Sequence, residues 1–106
     1  MIKMAVVLHK RPDFTAEQFR DYLFSVHAPL ARKIPGLRKC VYNVALPDKT
    51  RKPPDWGCVV ELYFDDFDSM QAAWASPEGQ TANGDNPNLA DMTRTSWSIV
   101  EESRIL

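Results

Sequence analysis

Residues 14–37, FTAEQFRDYLFSVHAPLARKIPGL, decide how this chain folds. Thr15 offers a hydroxyl to cap a helix, Gln18 three residues on completes a capping box, and Phe14 is placed to staple back toward Phe19. Phe19, Leu23, Val26 and Leu30 then fall on one stripe of a helix, with Glu17, Arg20 and Asp21 on its other faces. Pro29 disfavours helical geometry at Ala28, so the helix is expected to kink or restart near His27 before Pro35-Gly36 ends it.

Working outward from this helix, the flanking runs read as strands. Ile2 to Lys10 is almost unbroken apolar sequence, stopped by Pro12. Leu37 to Leu46 reads as a second strand, followed by the polar, proline-rich loop Pro47 to Asp55, and CVVELYF, Cys58 to Phe64, as a third. Asp66 is placed to cap a second helix running through Phe67, Met70, Ala73 and Trp74 to Ser76. The stretch from Ser76 to Met92, rich in glycine, proline and asparagine, predicts an irregular excursion with one short helix, and Thr95 to Glu102 a fourth strand.

The order β-α-β-β-α-β predicts an α+β, ferredoxin-like domain spanning 1–106, with two helices on one face of a four-stranded antiparallel sheet. Strands one and three are largely apolar on both sides, Met4, Val6 and Leu8 alternating with Ala5, Val7 and His9, and Val60 and Leu62 with Val59, Glu61 and Tyr63. Two helices cover one sheet face only. The uncovered face therefore predicts a homodimer pressing sheet against sheet.

Composition narrows the function classes. With 44% hydrophobic and 25% charged residues and a net charge of -1, the chain carries no basic stripe, and nucleic acid is not expected as a partner. No apolar run reaches the length of a membrane span and the N-terminus lacks the features of a signal peptide, which predicts a cytoplasmic protein with no membrane partner. Two widely separated cysteines, Cys40 and Cys58, make neither a disulfide framework nor a zinc site. No metal and no cofactor are expected.

His27 is the leading candidate for chemistry. An imidazole, with an unperturbed pKa of about 6.5, gives or takes a proton near neutral pH, and a helix end facing a cleft would bring it to a ligand. The competing reading is a histidine that caps helix carbonyls. Glu61 interrupts an apolar strand and must pair or protonate; it is a candidate to orient His27 or act as a second acid or base, or else an ion partner of a lysine or arginine across the dimer. Tyr22, His9, Cys40, Tyr63 and Trp74 are candidates to line a binding cleft, with Trp97 as a further aromatic wall. Rim, packing and core roles are their ordinary alternatives.

Several runs carry a family resemblance: Phe19-Arg20-Asp21-Tyr22, Val26-His27-Ala28-Pro29-Leu30-Ala31, Pro35-Gly36-Leu37, Glu61-Leu62-Tyr63-Phe64 and Ser76-Pro77-Glu78-Gly79-Gln80. The chain resembles the EthD family of dimeric α/β-barrel proteins. The resemblance implies a ferredoxin-like homodimer with a cleft between sheet and helices in each subunit, and relatives that include the cofactor-free methylmuconolactone methylisomerase and polyketide decarboxylases and dehydratases. The isomerase-like relatives often carry tyrosine early in strand two, where this chain has Cys40. The expected function is cofactor-independent proton transfer by His27, as an isomerase or lyase, on a small hydrophobic oxygenated ligand such as a lactone, polyketide or aromatic degradation intermediate. The alternatives are a non-catalytic binding or accessory protein of a degradation pathway and a haem-binding barrel protein with His27 or His9 as axial ligand.

Overall fold

The computed structural model describes residues 1–52 and 56–106. Four strands, β1 (Ile2–Leu8), β2 (Lys39–Val44), β3 (Cys58–Phe64) and β4 (Ser96–Val100), form one antiparallel sheet in the order β2-β3-β1-β4. Between β1 and β2 lie helix α1 (Ala16–Tyr22), a π-helical turn (Leu23–His27) and the short α2 (Ala28–Ala31). Between β3 and β4 lie α3 (Phe67–Ala75), α4 (Pro77–Gly84) and a 3-10 turn (Asn86–Asn88). The ferredoxin-like order stands, with strands one, two and four each shorter than the runs suggested.

The caps explain where the helices start. Thr15 and Gln18 make both bonds of the capping box, and the Asp66 carboxylate accepts from the Ser69 amide at 2.7 Å to start α3. Phe14 packs its ring on Tyr22, centroids 6.3 Å apart, one turn beyond the expected staple partner. Gly36 ends the first helical unit at φ 76°, a left-handed conformation that a side chain would strain. The stretch after Ser76 is more regular than its composition suggested, because Ser76 caps α4 by accepting from the Gly79 amide at 3.0 Å and Pro77 occupies the first turn, where its missing N–H is harmless.

Phe19, Leu23, Leu8, Leu62, Phe64, Met70 and Leu89 are buried between the sheet and the helices. On the opposite face of the sheet Ala5, Val7 and Val59 are only half-buried. There Lys3 bridges Glu61 at 2.6 Å and Glu102 at 2.7 Å, and Tyr63 donates to Glu102 at 2.9 Å. Cys58 is fully buried and its thiol is pushed up to about 12 by that burial, whereas Cys40 is exposed on the edge strand β2. No helix among the described residues is long and apolar enough to cross a membrane.

In the loop after β2, Pro47, Lys49, Thr50, Arg51 and Lys52 are exposed; residues 53–55 lie outside the described residues. Limited trypsin digestion should cut first at Lys49, at Arg51 or near Arg94, and fragment masses would show it. First cleavage inside β3 would contradict this layout.

Candidate functional site

The sheet register sets one wall of a cavity. Trp97 pairs with Val6, Val6 with Val60, and Val60 with Tyr42, so these four side chains form a single row across all four strands on the face toward the helices. His27 from the π turn, Trp74 from α3 and Asn83 and Asn86 from the α4 end stand opposite, enclosing a cavity of about 210 Å³. Its lining is mostly apolar, with a few polar groups converging on it, as is usual for small-molecule sites.

The π turn is what delivers His27 to this cavity. Val26 was expected on the buried stripe and His27 beside it; the structure reverses them, with His27 7% exposed and Val26 41%. The Ala28 amide donates to the Leu23 carbonyl, five residues back, so the wider turn moves the buried stripe on by one residue. Pro29 follows immediately and has no amide to give to the ladder, which accounts for the irregularity falling here.

The same turn brings Tyr22 and His27 to one partner. In an uninterrupted α-helix residues five apart sit about 140° from each other, whereas a π turn stacks them nearly in line. Both reach Asp85: the Tyr22 hydroxyl donates to Oδ1 at 2.6 Å, and His27 Nδ1 lies 2.9 Å from Oδ2. Asn88 adds a third bond, donating to Oδ1 at 2.9 Å. Asp85 is itself buried. Burial pushes its carboxyl upward, but the bonds from Tyr22, Asn88 and His27 together outweigh this and hold it below the ordinary carboxylate range. An ionised Asp85 accepts only, so Nδ1 of a neutral His27 carries the proton and donates, leaving Nε2 with a lone pair on the ring edge away from Asp85.

A carboxyl depressed in the folded state stabilises the fold above its unfolded value of about 3.9, and that contribution is lost as pH falls through the lower folded value. Wild-type protein should therefore lose stability on acidification below about pH 4 more steeply than an Asp85→Asn variant, in paired thermal-unfolding series. Parallel acid limbs would contradict the depressed carboxyl.

The remaining candidates divide by sheet face. Trp74 lines the cavity with His27, and Tyr22 stands behind it as a bond to Asp85. Glu61 faces the other side of the sheet, where Lys3 and Asn43 hold it below the usual carboxylate range, so Asp85 replaces it as the group that orients His27. Its ion partner lies in the same chain rather than across a dimer. Tyr63 shares that outer face. Cys40 borders a separate groove with Phe24 and Arg32. His9 sits just past β1, its amide donating to Thr95 Oγ1 at 3.2 Å and its carbonyl accepting from Asp91 at 2.8 Å, outside the cavity lining.

Asp85 was not anticipated. One signal was available: it is the only charged residue between Gly79 and Ala90. Tyr42 was likewise hidden, since only the sheet register places it in the row with Trp97. Among the described residues no group of three or more His, Cys, Asp or Glu side chains is arranged to hold a metal.

The fold and sequence place the chain among known proteins. An uncharacterised 11.0 kDa protein from the thcB–thcC intergenic region of Rhodococcus erythropolis is 30% identical over 90 residues, covering 85% of this chain and 84% of that protein. The crystal structure of an ethyl tert-butyl ether degradation (EthD) family protein from Bacillus halodurans C-125 superposes with a TM-score of 0.81 at 29% identity, covering 97% of this chain and all of the other. A dimeric ferredoxin-like protein of unknown function from Bacteroides fragilis follows at TM-score 0.70 and 18% identity, covering 95% of each chain. SnoaB, a cofactor-independent oxygenase from Streptomyces nogalater, shares the fold at TM-score 0.66 and 14% identity, covering 99% of this chain and 95% of its own. The EthD domain matches residues 11–93, and the chain belongs to the EthD family.

Proposed function

We propose that this protein is a small cofactor-independent enzyme in which His27, held by Asp85, moves a proton on a compact, largely apolar, oxygen-bearing ligand in the cavity. The observation that carries the reading is the 2.9 Å contact between His27 Nδ1 and the buried Asp85 carboxylate at the wall of an apolar cavity. A carboxylate that orients the imidazole favours proton transfer over binding alone. The carboxylate fixes the tautomer and steadies the imidazolium that forms when Nε2 accepts a proton.

On an enolisable ligand the imidazole serves first as base and then as acid. Nε2 takes a proton from a carbon next to a carbonyl, the C–H electrons enter the carbonyl as an enolate, and the proton is returned at the same carbon or at a vinylogous one. The first outcome is exchange, the second isomerisation; loss of a leaving group from the enolate makes the same site a lyase. The fold neighbour named as a cofactor-independent oxygenase supports chemistry in such a domain without an added group.

β-Tetralone in deuterium oxide tests this directly. The protein should speed loss of the acidic methylene proton signals in NMR, and His27→Ala should remove most of that acceleration, on the order of a hundredfold or more. Acceleration that survives His27→Ala ends the proposal.

We also propose a homodimer built on the outer sheet face. Half-buried Ala5, Val7 and Val59 beside an internally satisfied Lys3–Glu61–Glu102 network make a self-complementary surface, and the Bacteroides fragilis neighbour is described as dimeric. Sedimentation equilibrium at micromolar concentration should give twice the chain mass. A stable, folded monomer would sink this assembly.

A further inference from the structure

We infer that Tyr42 and Trp74 form a two-donor clamp that selects ligands carrying a carbonyl or enolate oxygen. This deepens the proposed function and rests on the cavity being its ligand site. The Tyr42 hydroxyl and the Trp74 indole Nε1 are both sealed from solvent and both lack a hydrogen-bond partner among the described residues. Buried polar atoms are almost always satisfied, so two orphans bordering one cavity call for an explanation. Both side chains line the cavity that His27 lines.

The chemistry of the pair narrows what it takes. Indole Nε1 only donates. Burial pushes the Tyr42 phenol well above its ordinary range, with the Cys40 and Cys58 thiols adding to the effect, so it stays protonated and donates as well. Two donors and an imidazole with a free lone pair suit an acceptor oxygen next to an acidic C–H. An ammonium group, which only donates, would find no partner in the donor pair. Both donors are covered in this structure, so a ligand oxygen engages them through a small turn of each ring, Tyr42 against Phe24 at 5.9 Å and Trp74 edge-on to Phe64 at 6.0 Å. With Trp97 completing the row, a flat, mainly hydrocarbon body bearing one carbonyl is the occupant these walls fit.

Matched probes read the inference without requiring turnover. Indanone and indane share a flat bicyclic skeleton and differ by the carbonyl oxygen; isothermal titration measures both. Wild-type protein should prefer indanone by roughly tenfold or more, because a site with buried polar groups rejects an analogue that leaves them unpaired. Tyr42→Phe and Trp74→Phe should each shrink that preference, and the double variant should bring the two ligands to within about twofold, through weaker indanone binding. Tyr42→Phe removes an oxygen with no partner, so its thermal midpoint should equal or exceed that of the wild type. Equal affinities in the wild type, binding of neither probe, a preference that survives the double variant, or a Tyr42→Phe protein that fails to fold would each overturn the clamp. Failure of β-tetralone exchange alongside intact, clamp-dependent indanone selectivity would instead defeat the catalytic reading and leave the clamp standing.

Discussion

Asp85→Asn should cut proton exchange on β-tetralone by a factor on the order of 10² to 10⁴ while the protein stays folded. The substitution keeps size and shape and removes the charge. Tyr22 and Asn88 both donate to Oδ1, so the amide oxygen of an asparagine is drawn to that position, which leaves its NH2 group facing His27 Nδ1. An NH2 group donates, so Nδ1 must accept and the ring proton moves to Nε2. The nitrogen available to a ligand then carries a proton instead of a lone pair, and the base is inverted. Asp85→Ala makes a different error, leaving the Tyr22, His27 and Asn88 donors without their acceptor in a buried site, at a cost of about 1–3 kcal/mol for each donor left unsatisfied. Exchange rates and thermal midpoints measured on both variants separate the two effects. An Asp85→Asn protein that keeps full exchange activity would remove the carboxylate from the mechanism.

The first helical unit shows what the sequence made legible and what it did not. The capping box at Thr15, the interruption near His27 and the Pro35-Gly36 stop follow from local chemistry and are present in the fold. The identity of the interruption is not local. Whether a chain relieves a proline by kinking or by a π turn depends on which arrangement buries the better set of side chains, and here burial of His27 against Asp85 sits with the π turn. That choice moves the apolar stripe by one residue. A straight helical projection leaves His27 beside the core, with a cost of about 1 kcal/mol for His27→Ala; a buried ring bonded to a buried carboxylate raises it to roughly 1–3 kcal/mol. Glu61 shows the converse. Alternation along β3 places it opposite Val60 and Leu62, which is enough to separate it from any cleft under the helices. Asp85 and Tyr42 depend on long-range pairing, between the π turn and the residue after α4 and between β2 and β3, which periodicity does not encode.

Gly79→Ala should be the most destabilising of the glycine-to-alanine changes, by about 3 kcal/mol or more, lowering the thermal midpoint by roughly 12–24 °C. An alanine Cβ built there would stand 1.9 Å from the Ala73 carbonyl oxygen, 2.9 Å from the Ala73 carbonyl carbon and 3.1 Å from Trp74 Cα. All three atoms are backbone, so no side chain can swing aside. The two helices are also pinned where they meet: Ser76 Oγ donates to the Ala73 carbonyl at 2.6 Å and accepts from the Gly79 amide at 3.0 Å, and the Ser76 amide donates to Ala72 and Ala73. Relief requires moving α4 away from α3, which breaks the α4 cap and carries with it the Trp74 wall on one side and Asn83 and Asp85 on the other. The loss of stability should therefore come with a loss of exchange activity larger than the unfolded fraction explains. Gly84→Ala is the control, since a Cβ there meets nothing within 4 Å and alanine favours the helix by about 0.5–1 kcal/mol. If Gly79→Ala and Gly84→Ala melt together, the close crossing of α3 and α4 does not exist in solution, and the placement of Asp85 against His27 loses the scaffold that sets it.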